Sequence, residues 1–154
     1  MRRGKDAMLV RDMHRIPASA VNPVWKNSHW GDFIRATFAA KDAGHDTPIL
    51  LATDGAVAEA PGFNIVAVVD GALISPDSGV LEGISCRSMF EIAAELGLPI
   101  RERDFSRHDV FIADECFLTG SAAEVIPVIK VDSRIIGDGK PGPVTKDLTK
   151  RFHQ

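Results

Sequence analysis

Asn64-Ile65-Val66-Ala67-Val68-Val69-Asp70-Gly71-Ala72-Leu73-Ile74-Ser75 says more about architecture than any other part of this chain. Asn64 to Val69 is its most strand-like run. Asp70-Gly71 tolerates the positive φ of a tight turn, so Ala72 to Ser75 is expected to return beside it as a hairpin that Pro76 ends. A hairpin here speaks against a run of βαβ units and a Rossmann sheet.

Upstream, Pro48 to Ala52 and Ala56 to Glu59 read as strands around an Asp54-Gly55 turn. Ala7 to Val10 reads as a short strand, Arg15-Ile16-Pro17 as an irregular connection, and Ala20 to Trp25 as extended. A helix from Ser28 to Ala43 would keep Trp30, Phe33, Ile34, Thr37 and Phe38 on one face, with Gly44 closing it. Downstream, Gly83 to Leu96 reads as a helix and Pro99 to Phe105 as a strand. Ser106 with Asp109 is a capping-box signal for a short helix to Ala113. Strands Cys116 to Leu118 and Ala123 to Val131 flank a Thr119-Gly120-Ser121 turn, and Asp132-Ser133 turns into Arg134 to Ile136. A last helix runs from Val144 to about His153. The fold class is mixed α and β.

At 154 residues, 45% hydrophobic and 25% charged, the chain is one globular domain. A net charge of −3 without a basic stripe excludes nucleic acid as the expected partner. No segment has the length of a signal or membrane span, which points to the cytoplasm. Cys86, Cys116 and the five histidines have no metal-ligand spacing, so no metal is expected and both thiols are read as reduced and structural. Gly137-Asp138-Gly139-Lys140-Pro141-Gly142 matches G-x-G-x-x-G but lacks the following strand and acidic residue, so it reads as a turn and linker.

Trp25-Lys26-Asn27-Ser28-His29-Trp30-Gly31-Asp32 places a lysine between the only two tryptophans. Lysine against aromatic surface either lies over a ring in solvent or, if desolvated, becomes a nucleophile for a carbonyl. Three other stretches can carry chemistry: Glu59 to Asn64, Leu81-Glu82-Gly83-Ile84-Ser85, and Thr119 to Ala123. The second is a glycine turn entering a helix, a place suited to anions.

Together with Lys26 these motifs resemble, in order and spacing, the large C-terminal domain of the class IV (fold-type IV) pyridoxal-phosphate aminotransferases. The resemblance runs from about Arg15 to Phe152, and includes Glu115 to Pro127 and Gly142-Pro143-Val144-Thr145-Lys146. It implies the D-amino-acid aminotransferase-like fold, a β-rich pseudo-barrel with surrounding helices. It implies amino-group transfer between an amino acid or amine and a keto acid, through pyridoxal 5'-phosphate. Lys26 matches the lysine that anchors the cofactor and carries the proton. Glu59 matches the glutamate facing the pyridine nitrogen, and Leu81 the residue packed on the ring. Gly83, Ile84 and Ser85 match the phosphate turn, while Ser121 and Ala122 match a second phosphate- or substrate-contacting turn. Asn64 belongs to the Glu59 motif and is read as holding its turn.

Trp30 stands where many members carry a Tyr against the cofactor. The Lys-Asn-x-x-Trp-Gly-Asp run is similar to (R)-selective amine transaminases and some branched-chain relatives. Cys86 replaces a usual Arg, with Arg87 next to it. The family's smaller N-terminal domain is not matched, so residues 1–15 are expected to be an interdomain linker remnant and 16–154 the large domain. A homodimer or higher oligomer is implied. The alternatives are a truncated non-catalytic domain, or a lyase of the aminodeoxychorismate lyase type using the same cofactor.

Overall fold

A computed structural model describes residues 3–153. The 64–75 hairpin forms as expected: β4 (Phe63–Val69) turns through Asp70 and Gly71, both at positive φ, into β5 (Ala72–Ser75). Alternate residues of β4 pack into different cores, Ile65 and Ala67 on one face, Val66 and Val68 on the other. Burial on both faces explains the unbroken apolar run.

The other strands are β1 (Lys5–His14), β2 (Thr47–Leu51), β3 (Glu59–Ala60), β6 (Ile100–Glu102), β7 (Glu115–Gly120), β8 (Glu124–Val131) and β9 (Arg134–Ile135). Hydrogen-bonded order is β2-β1-β8-β7-β4-β5-β6, with β3 on β4 and β9 on β8. The sheet curls on itself. Ala58 N–H donates to Leu50 O at 3.0 Å and Val57 bridges Leu51, so the lead-in to β3 joins β2 to β4. The circuit β1-β2-β3-β4-β7-β8 encloses Ala7, Leu9, Ile49, Ile65, Leu118 and Val128. A flat sheet would hold β2 and β4 about 19 Å apart at its usual strand spacing.

Three helices pack outside. α1 (Gly31–Asp42) lays Phe33, Ala36 and Ala40 towards β1 and β2; α2 (Ile84–Glu95) and α4 (Pro143–Phe152) cover β4 and β7. The short α3 (Arg107–Ile112) packs on the inner core, and its capping box forms between Ser106 and Asp109. The Gly137–Gly142 loop delivers α4 to Glu115, whose carboxyl oxygens accept from Val144 N–H at 2.9 Å, Thr145 N–H at 2.7 Å and Thr145 Oγ1 at 2.6 Å. A Cβ at Gly142 would sit 2.1 Å from that carboxyl carbon, so only glycine fits there.

Several expectations need correction. β1 is ten residues long and lies between β2 and β8, so from Lys5 the presumed linker remnant is interior sheet; Met1 and Arg2 lie outside the described residues. Ala20 to Trp25 is not extended: Pro17 O accepts from Ala20 and Val21, and Asn22 Oδ1 accepts from Val24 N–H, making successive turns. Helix α1 starts at Gly31, because Asn27 Oδ1 takes the His29 N–H in another turn. Its expected apolar face divides in two: Phe33 is buried, whereas Trp30, Ile34 and Phe38 remain exposed. The 99–105 strand shrinks to β6, and the 56–59 strand to β3 with a single bridge at Val57. Thr119 and Gly120 belong to β7, leaving residues 121–123 as the turn.

Candidate active site

Ala60, Ile65 and Leu118 point into the barrel, so their neighbours Glu59, Asn64 and Thr119 face outward. Register pairs Glu59 with Asn64 and Asn64 with Thr119, giving a polar row across β3, β4 and β7. The Leu81–Gly83 turn is pinned onto that row. Asn64 Nδ2 donates to Leu81 O at 2.7 Å, and Leu81 N–H donates to Glu59 Oε2 at 3.3 Å. Asn64 thus holds the turn before α2, while its tie to Glu59 is through strand pairing. A Cβ at Gly83 would sit 2.2 Å from Asn64 Oδ1, so this approach requires glycine. No side chain caps α2, which leaves its first N–H groups, including those of Ile84 and Ser85, available to an anion.

Beside Glu59 stands Arg15, a residue absent from the sequence-based set. Its Nε donates to Glu59 Oε1 at 2.9 Å, its Nη1 contacts Asp32 Oδ2, and its guanidinium lies 4.1 Å from the Phe33 ring centroid. Asp32 Oδ2 also accepts from Ile16 N–H at 2.9 Å. Burial pushes the Glu59 carboxyl above the usual range, and the Arg15 charge opposes that rise. Nothing local in Arg15-Ile16-Pro17 signals this role, because the partners lie 17 and 44 residues away.

Lys26, Trp30, Glu59, Leu81, Gly83, Ile84, Ser85, Ser121 and Ala122, the nine residues named from sequence, all line one cavity of about 290 Å³. Arg15, Asn64 and Thr119 line it too. Thr119 Oγ1 is buried with no hydrogen-bond partner, an open polar position in the wall. Thr119 shares a strand face with Phe117, opposite Leu118, an alternation legible in the sequence only if the strand runs on to Gly120. The setting of Lys26 differs from expectation. The lysine is exposed, as are Trp25 and Trp30, and the cation–π contacts among the described residues belong to Arg15 and Arg134. It stands at an open rim and is not desolvated by aromatic rings. Trp30 instead packs edge-on against Phe33, 5.4 Å between centroids.

Arg87 does not replace an arginine at position 86. It is outside the cavity lining and pairs with Glu102 at 3.3 Å. Cys86 and Cys116 are free and buried, and burial pushes their thiols up to about 11 and about 12. Both are inert at neutral pH. Among the described residues no cluster of three or more His, Cys, Asp or Glu is arranged for a metal, and no helix is long and apolar enough to cross a membrane.

An accessible lysine, a buried carboxylate and an uncapped helix start stand around one cavity, on a curled sheet of mixed strands. The family description amino-transferase class IV matches residues 2–131, and the chain belongs to that family. It is 35% identical over 142 residues to the putative branched-chain-amino-acid aminotransferase of Methanocaldococcus jannaschii, covering 91% of this chain and 49% of that protein. The solved Escherichia coli branched-chain amino acid aminotransferase superposes with TM-score 0.93 at 34% identity, covering 97% of this chain and 50% of that one. A second solved branched-chain amino acid aminotransferase, complexed with N-(5'-phosphopyridoxyl)-L-glutamate, also gives 0.93, at 35% identity and with the same coverage. The chain spans about half the length of the relatives it matches.

Proposed function

We propose that this chain is the cofactor-anchoring part of a pyridoxal-phosphate-dependent aminotransferase, moving an amino group between an amino acid or amine and a keto acid. The observation that carries this reading is the convergence of nine residues, spread from Lys26 to Ala122, on one cavity. The phosphopyridoxyl ligand of the second solved relative supports the cofactor, and the relatives' names make branched-chain amino acids the first donors to try. The Lys-Asn-x-x-Trp-Gly-Asp run makes (R)-amines the second.

The residues present fit the cofactor. The α2 start and the Ser121–Ala122 turn offer backbone N–H groups and hydroxyls to a phosphate. Glu59 would set a negative charge against a pyridine nitrogen, and half-buried Leu81 an apolar wall against a ring. The cofactor, once bound, supplies an electron sink for the pair released as the substrate Cα–H bond breaks. Lys26 Nζ would hold the cofactor and, as an amine, would take up and return the proton at the substrate carbon.

Pyridoxal phosphate added to the chain should give a visible absorption band that Lys26→Ala abolishes. No band in the parent chain would sink this reading. With the band in hand, bleaching by an amine donor shows transfer competence.

A further inference from the structure

Arg15 stands in the cavity wall, held between two acids. It leaves β1 with its N–H on Leu51 O at 2.8 Å, so the end of β2 fixes where its side chain begins. Its side chain is 11% exposed, and those of Asp32 and Glu59 are 8% and 6% exposed. One cation therefore serves two buried carboxyl groups, and only Glu59 lines the cavity. The two contacts differ: Glu59 takes Nε, while Asp32 takes Nη1 and is itself tied to Ile16 N–H and, through Oδ1, to Phe33 N–H at 2.8 Å. Asp32 is thereby fixed to the start of α1, and the ring of Phe33 closes the guanidinium's face.

Resting on the aminotransferase reading, we propose that Arg15 is the positioning residue of this site, holding Glu59 as an oriented anion at the cavity wall, with Asp32 as a second acid on the same cation. A buried carboxyl without a cation beside it would take up a proton and could no longer hold positive charge on a ring nitrogen. Burial disfavours the ionised form of Glu59 most, the Arg15 charge opposes that, and the Asp32 charge adds to it, so of these two charged neighbours Arg15 is the one that favours the anion. Lys26 and His29 line the same cavity.

The test is the titration of Glu59 in the cofactor-free chain, followed by carboxyl-carbon NMR in the parent, Arg15→Gln, Asp32→Asn and Arg15→Lys proteins. Losing the cation should raise the Glu59 midpoint by about one pH unit or more, a tenfold change in its ionisation ratio. Losing Asp32 should lower it, and Arg15→Lys should restore most of the parent value. A merely structural role predicts another pattern: loosening admits water and lowers the midpoint in both Arg15→Gln and Asp32→Asn. That result, or an unmoved midpoint in Arg15→Gln, overturns the proposal. Should Arg15→Gln not fold, the Arg15→Gln/Asp32→Asn pair removes an unpaired acid with the cation, and its midpoint must still lie above that of Asp32→Asn alone. Because no cofactor is present, failure to bind pyridoxal phosphate would count against the functional reading, whereas the Glu59 titration decides on Arg15.

Discussion

Glu59, Asn64 and Gly83 form a chain of contacts in which each side chain or its absence places the next. Asn64 reaches Leu81 O only because Gly83 has no Cβ to block Oδ1. Gly83→Ala must push Asn64 aside or move the turn, which overpacking data put at about 1–3 kcal/mol. The expected outcome is a lower urea midpoint together with weaker pyridoxal phosphate binding, read from the visible band. An unchanged band in a folded variant would show that the turn does not shape the phosphate cradle. At this scale the glycine turns, the strand-end acid and the lysine between tryptophans are each ordinary local features, and only their order along the chain, as a family resemblance, singled them out. Arg15 and Thr119 were not legible: one depends on partners far along the chain, the other on where a strand ends.

At the scale of elements, two caps can be tested. In α3, Asp109 accepts from Arg103, Ser106 N–H and Ser106 Oγ, and the Arg103 hydrogen bond leads in holding its carboxyl down to about 2. A depressed carboxyl stabilises the fold above its unfolded value near 4 and loses that contribution as pH falls towards 2. Asp109→Asn should therefore cost about 1–2 kcal/mol at neutral pH, after discounting for the half-exposed Arg103, and nearly nothing at pH 2. Urea unfolding at both pH values checks the sign. In α4, Glu115→Ala strands the N–H groups of Val144 and Thr145 and the Thr145 hydroxyl, at about 2–3 kcal/mol. A lower urea midpoint with the same slope is expected; no change would mean that α4 is held by packing alone. The capping box of α3 was readable from Ser106 and Asp109, being three residues apart. The cap of α4 was not, since its acid comes from β7, 29 residues away from Val144.

For the whole molecule, the exposed row Trp30, Ile34 and Phe38 on α1, with Trp25 and Ile84 near the cavity, leaves large apolar side chains in water. Such a surface drives association. Light scattering should show oligomers of at least twice the chain mass, and Ile34→Asp with Phe38→Asp should reduce them; a clean monomer in the parent chain would count against this. The same row shows where sequence reading reaches its limit. Periodicity marked Trp30, Phe33, Ile34 and Phe38 as apolar, but a helix stripe does not say which part meets the sheet. Local chemistry by itself determined the hairpin turns, the α3 cap and the mixed fold class, because each depends on φ preferences or spacings within a few positions, whereas the nine site residues were named by the order of whole motifs that resemble a family. The closure of β2 through β3 onto β4, the burial of Phe33 instead of Ile34, and the seating of Arg15 between Asp32 and Glu59 were decided only in the tertiary structure. They arise from contacts between segments far apart in the chain, where curvature of the sheet, not sequence pattern, selects the partner.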